Sequence, residues 1–228
     1  MREEVARHTS VFERWPRNPV VSDPGTFYYY NTFFGPVDAE VYYAVLRAHR
    51  VKRLIEIGSG FSSRVARQAL DDNGLGELTC IDPSPRNDID KYAHRHIKSV
   101  VQDLDLGLFA DLAANDVLFI DSSHRLETGG DLPFLLLEVL PRLASGVLVH
   151  FHDIFLPYEY PHTWTCHEER RYNEQYAVGV MLAHSRRYQV EWATHYMLET
   201  QFQKVHEVVS SLDVPVPARL GSLWLRVV

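Results

Sequence analysis

The stretch VKRLIEIGSGFSSRVARQAL, residues 51–70, decides the fold. Among its first seven residues Val51, Leu54, Ile55 and Ile57 are apolar and no turn former intervenes, which predicts a strand over 51–57. Gly58-Ser59-Gly60 then breaks the run. Ser62 is a plausible N-cap for a helix through Leu70, closed by Asp71-Asp72-Asn73-Gly74. Strand, glycine turn and helix in succession make a βα unit of a parallel sheet.

Working outward, the same alternation recurs. Strands are expected over 77–81 (ending at Asp82-Pro83), 97–101 (before Gln102-Asp103), 116–120 (ending at Asp121) and 147–151. Helices are expected over 38–50, 90–96, 106–114, 131–143 and 173–185. Residues 188–196 and 222–228 read as two further strands, separated by a helix over 199–212 and a Pro-Val-Pro loop. The fold class is α/β: a Rossmann-like doubly wound sheet of about seven strands, mostly parallel, with a C-terminal antiparallel hairpin and helices on both faces. Residues 1–36, ending in the aromatic run FYYYNTFFGP, form a strap on the core or a lid over a pocket. Residues 37–228 form the domain proper, with insertions at 155–172 and 197–221.

Bulk properties bound the partners. At 228 residues, 46% hydrophobic and 23% charged, the chain has the composition of an ordinary globular domain. A net charge of −7 argues against wholesale nucleic-acid binding. Two cysteines make no disulfide framework, and free thiols fit a reducing compartment. The opening MREEVARHTSVFERWPR has no apolar core of a signal peptide, and no run is long enough to span a membrane, so cytoplasm is the expectation.

In an open α/β sheet, ligands bind at the carboxyl ends of the strands. The glycines of Glu56-Ile57-Gly58-Ser59-Gly60 allow a tight turn and close approach of backbone to ligand. Asp82, 24 positions beyond Gly58, is placed for ribose recognition. Ser63 stands where a dinucleotide fingerprint has its third glycine, and Glu56 would repel a pyrophosphate while suiting an ammonium or sulfonium. Asp103 contacts an adenine or caps the next turn.

Two other strand ends carry chemistry. IDSSH, residues 120–124, ends the fourth strand, and VLVHFHDIFLPYEYP, residues 147–161, contains the fifth. Asp121 is a ligand or a turn cap, and His124 a base or a surface residue. His150, inside the strand, fits a core histidine better than a ligand. His152 is open between ligand, base and structural partner. Glu174 is a helix-dipole partner or a pocket residue. Tyr158, Tyr160 and Trp164 form a sugar platform or pack on one another.

The glycine loop, Asp82 and the seven-strand pattern resemble the class I S-adenosylmethionine (SAM)-dependent methyltransferases. That resemblance implies SAM as cofactor, at Glu56, Gly58, Ser59, Gly60, Ser63, Asp82 and Asp103. The two strand-end motifs are similar to those of the metal-dependent macrocin- and mycinamicin-type sugar O-methyltransferases and the cephalosporin-hydroxylase group. This second likeness implies a divalent ion, Mg²⁺, on Asp121 and Asp153, with His124 as base. The chain departs from the pattern in having His152 where an acidic ligand is expected, which makes His152 the third ligand or an alternative base. Tyr158, Tyr160 and Glu174 are the candidate contacts to a carbohydrate or glycoside acceptor, and a homodimer is possible. The rival readings are an NAD-dependent oxidoreductase, which Ser63 and Glu56 oppose, and a non-catalytic nucleotide-binding module.

Overall fold

The computed structural model describes residues 1–86, 88–209 and 220–228. Seven strands form one sheet: β1 (Arg53–Ile57), β2 (Glu77–Ile81), β3 (Arg95–Ile97), β4 (Val117–Ile120), β5 (Leu148–Phe151), β6 (Tyr188–Ala193) and β7 (Leu223–Val227). Their order is β3-β2-β1-β4-β5-β7-β6. Only β7 runs against its neighbours, β5 and β6. The expected sheet is the observed one.

Every residue of β4 and β5 is buried, His150 included, as strands of a doubly covered sheet require. Alternate residues feed two cores. Leu54, Val117, Phe119 and Leu148 face one, with the helices Pro36–Ala48 and Phe61–Asn73. Ile55, Ile57, Leu118, Ile120 and Val149 face the other, which includes Leu132, Leu135 and Val178.

Local expectations needed adjustment. The N-cap of the helix Phe61–Asn73 is Gly60, not Ser62, which lies inside the helix. The third strand ends at Ile97 because the chain turns there, Ser99 N bonding back to Ile97 O at 2.9 Å. The helix expected over 131–143 begins as α-helix, passes through a π-helical stretch at Leu135–Val139 and ends as a 3₁₀ turn. Pro141, with no N–H to donate, sits in that last turn. The helix after β6 is Thr194–His206, directly on the strand end, and it kinks at Gln201. The end of the helix expected over 199–212, and the Pro-Val-Pro loop, lie outside the described residues.

The N-terminal segment packs mainly as a strap. Phe12, Trp15, Phe27 and Tyr29 are buried in the first core, and the Tyr29 hydroxyl donates to Glu40 at 2.8 Å. Its last residues, Thr32 to Phe34, reach the large cleft described next.

Candidate active site

Strand ladders continue past the ends of β1, β4 and β5. Asp121 N bonds Ile57 O at 2.9 Å, and His152 N bonds Ile120 O at 3.0 Å. The first residues after three adjacent parallel strands are thereby held side by side. A cleft of about 1200 Å³ opens at this carboxyl edge.

One end of the cleft is the glycine loop. Gly58 has φ +81°, and a Cβ there would fall 1.9 Å from the backbone oxygen of Asp121. The position therefore demands glycine twice over, for conformation and for space. Ser59, Gly60, Asp82 and Gln102 line the same end. Asp82 accepts from Ser59 N at 3.1 Å, Ser59 Oγ at 2.9 Å and Ser84 N at 2.8 Å, so it braces the loop while lining the cleft.

Three of the cofactor candidates lie away from the cleft. Glu56 is fully buried beneath the loop, because Tyr42 Oη (2.8 Å), Ser63 Oγ (2.5 Å) and Cys80 Sγ (3.6 Å) all donate to it there. Burial pushes its pKa up to about 7, the hydrogen bonds opposing that rise only in part. Ser63 also accepts from Gly60 N at 3.1 Å, tying Glu56 to the turn. Asp103 sits in an exposed 3₁₀ turn, its neighbours Val101 and Gln102 taking the lining positions.

The other end holds four ionisable side chains from the loops after β4 and β5. His152 Nδ1 lies 3.3 Å from Asp121 Oδ1 and 3.5 Å from Asp153 Oδ1. His124 Nε2 lies 3.2 Å from Asp121 Oδ1 and 3.6 Å from Asp153 Oδ2. Each imidazole is backed by a buried carboxylate. Glu174 is bonded to His124 Nδ1, and Asp38 Oδ2 lies 3.5 Å from His152 Nε2. Asp121, His152 and Asp153 offer donor atoms all within 4.8 Å of one another, the spacing a single metal ion needs.

Both aspartate-facing loops are conformationally unusual. His124 has φ +58° and Asp153 φ +59°, left-handed values that non-glycine residues seldom adopt and that cluster at functional sites. The electrostatics are equally shaped. Burial opposes charge on His124, but Glu174, Asp121 and Asp153 outweigh it and hold its pKa well above the usual value. His152 is raised in the same way by Asp153 and Asp121. Burial also opposes ionisation of Asp121, yet His152 and His124 hold its carboxyl below the usual range. Burial prevails at Asp153 and Glu174, whose pKa values are raised.

His150 is a core residue, as its place inside the strand suggested. It stacks between Phe119 and Trp224, with ring centroids 4.3 and 4.1 Å away, and pairs with Ser222 Oγ at 2.8 Å. The substrate candidates fare differently. Tyr160 is buried with Phe155 and Trp164, its hydroxyl accepting from Gln175 N. Tyr158 is exposed beside His195, and neither tyrosine lines the cleft. Glu174 stands behind His124 with no exposed surface. Trp164, the third residue of the expected platform, does line the cleft, together with Arg170 and Tyr172, the Arg170 guanidinium lying 4.1 Å over the Trp164 ring.

Sequence reasoning missed Asp38. Nothing in an amphipathic helix over 38–50 marks its acidic first turn as facing another element's histidine. It likewise missed Arg170 and Tyr172, which look like ordinary loop residues.

Comparison with known proteins agrees with this architecture. Residues 55–154 match the family described as "Methyltransferase domain", from within β1 to just past β5. An uncharacterized protein of Archaeoglobus fulgidus is 32% identical over 120 residues, half of this chain and 54% of that protein; the match thus spans about half the length of this curated relative. Among solved structures, the O-methyltransferase TomG of Streptomyces achromogenes, involved in tomaymycin synthesis and solved with SAM, superposes with a TM-score of 0.51 at 16% identity. That likeness covers 99% of this chain and 88% of TomG. The plantazolicin methyltransferase BpumL, solved with S-adenosylhomocysteine (SAH) and a desmethyl-plantazolicin analogue, gives 0.54 at 14% identity, covering 99% of this chain and 96% of its own. At such identities the likeness is one of fold.

Proposed function

We propose that the chain transfers the methyl group of SAM to a hydroxyl of a sugar, oligosaccharide or glycosylated small molecule. The observation that carries this reading is the meeting, in one cleft, of a braced glycine loop with Asp82 and the Asp121, His124, His152, Asp153 cluster. The fold shared with TomG, an O-methyltransferase solved with SAM, supports the cofactor and the type of acceptor atom. Tyr172 and Arg170 beside the cluster offer a ring face and a donor suited to a sugar.

Gly58, Ser59 and Gly60 would hold SAM, with Asp82 available to its ribose and Val101 and Gln102 to its adenine. Glu56 and Ser63 act on it through the shape of the loop. The methyl needs no covalent catalyst, because the sulfonium is already activated. The acceptor oxygen forms the new C–O bond as the C–S bond breaks and its electron pair stays on sulfur, leaving SAH. Alignment of oxygen, methyl and sulfur is the work of the cleft. The hydroxyl proton passes to His124 Nε2, whose other nitrogen is held by Glu174, the arrangement of a base oriented by a carboxylate.

Asp121, His152 and Asp153 fit a divalent metal ion by donor type and mutual spacing. When bound, the ion supplies positive charge that lowers the acceptor hydroxyl's pKa and offsets the carboxylates keeping a proton on His124.

The test has two arms. Thermal shift with SAM, SAH and NAD is expected to show stabilisation by the first two only, and stabilisation by NAD alone would support an oxidoreductase. Methyl-labelled SAM is then offered with a panel of glycosides. Transfer that is absent from every acceptor would favour a non-catalytic module.

A further inference from the structure

The nitrogen in the metal trio bears on which ion it takes. We propose that Asp121, His152 and Asp153 bind a first-row transition-metal dication (Mn²⁺, Fe²⁺, Co²⁺ or Zn²⁺) in preference to Mg²⁺, with Asp38 as the positioning residue for His152. This rests on reading the cluster as a metal site, but its test needs no methyl acceptor.

Mg²⁺ is a hard ion that demands oxygen donors in near-octahedral geometry and gives up water reluctantly. Imidazole suits the borderline transition metals. His152 is packed in place with its nitrogen toward the two aspartates. It is only 2% exposed, and its ring packs against Phe34 (centroids 5.2 Å apart) and Phe119 (6.4 Å). Nδ1 lies 3.3 Å from Asp121 Oδ1 and 3.5 Å from Asp153 Oδ1.

The far side of the ring is equally determined. Nε2 is buried with no hydrogen-bond partner closer than the ion-pair contact to Asp38 Oδ2 at 3.5 Å. Asp38 has no exposed surface, and its two oxygens are fixed by Gly221 N (3.1 Å) and Ser222 N (3.2 Å). A carboxylate behind a ligating histidine keeps the proton on the far nitrogen and presents the near lone pair to the ion. The same junction sets Asp153. Ile154 N bonds Gly221 O at 2.7 Å, and a Cβ on Gly221 would crowd Asp153 Cα at 3.2 Å. One buried acid on the helix Pro36–Ala48 thus supports two of the three ligands. His124 stands outside the compact trio, which leaves it free to act as the base.

The full chain, stripped with EDTA, is dialysed against MgCl₂, MnCl₂, CoCl₂ or ZnCl₂ in turn, and bound metal is counted per chain. The Asp153→Asn variant measures ions held by other histidines. One transition-metal ion per chain, lost in that variant and bound about tenfold or more tighter than Mg²⁺, is the expected result. Asp38→Asn is expected to weaken transition-metal binding by about 10–100-fold and Mg²⁺ binding much less. His152→Asp, which makes the trio all-oxygen, is expected to reverse the preference toward Mg²⁺. Should either variant fail to fold, the selectivity of the unmodified chain decides. Mg²⁺ bound as tightly as the others, or transition-metal binding unchanged in Asp153→Asn, would overturn the proposal. Methyl transfer supported by tightly bound Mg²⁺ would sink this inference alone, whereas correct metal selectivity without methyl transfer would sink only the function.

Discussion

Glu174, the first residue of the helix Glu174–His184, is hydrogen-bonded to His124 Nδ1 across fifty positions of sequence. The contact is buried on both sides. It joins the β4 loop to the helix start, where Asn173 N also bonds His124 O at 3.0 Å and Asn173 Oδ1 accepts from Leu126 N at 2.6 Å. If His124 takes the acceptor's proton, Glu174 is the group that orients it.

Replacing the base and replacing its orienter are expected to differ in size. His124→Ala should lower kcat by about 10²–10⁴-fold, the usual worth of a general base. Glu174→Gln should cost about 10–100-fold, with KM for SAM little changed. Steady-state kinetics on folded protein checks both. Equal and small losses would remove His124 from the chemistry.

The two aspartates are expected to matter for turnover and not for the cofactor. Asp121→Asn and Asp153→Asn should each abolish methyl transfer while SAM affinity, read by calorimetry, stays within a few-fold. A large loss of SAM binding in both would mean that the cluster belongs to the cofactor site instead.

Gly58 couples the two ends of the cleft. A methyl at this position meets the Asp121 carbonyl, and the left-handed backbone adds about 1–2 kcal/mol for any L side chain. Gly58→Ala is therefore expected to weaken SAM binding and disturb Asp121 together. Wild-type SAM affinity and turnover in that variant would contradict this coupling.

Glu56 gives a pH signature in stability. Its pKa is about 7 when folded against 4.5 for a free side chain. Between those values the native state binds more protons than the unfolded chain, so stability falls as pH rises through the window. The loss amounts to roughly 3 kcal/mol at 1.36 kcal/mol per unit. Glu56→Gln removes this term, so denaturant unfolding should show the variant gaining on wild type by about that amount between pH 4.5 and pH 7.5. A difference independent of pH would show that Glu56 titrates normally.

What could be read without coordinates follows physical lines. Period and turn chemistry exposed the sheet, because β4 is an unbroken apolar run, β5 is interrupted only by His150, and Gly58-Ser59-Gly60 reads as a turn. The strand-end acids were legible for the same reason: a carboxylate directly after a buried strand has nowhere to go but the sheet edge. Long-range partners were not legible. Asp38 and Glu174 each meet their histidine through tertiary packing, and no local pattern records a contact over fifty or more residues. The placement of Glu56 was not legible, because the motif shows an acid beside a glycine loop but not which face of β1 it takes. Its side chain points inward, to Tyr42 and Cys80. Tyr158 and Tyr160 stayed ambiguous, because an aromatic-rich loop reads the same whether it faces a ligand or packs on itself.

The central claim is that SAM and the histidine–aspartate cluster share one cleft in the geometry of methyl transfer. A crystal structure of the chain with SAH tests it most directly. The ribose is expected at Asp82, the homocysteine chain along Gly58–Gly60 and the sulfur directed at the space between Asp121 and His124. SAH bound with its sulfur turned away from that cluster, or bound outside the cleft, would contradict it.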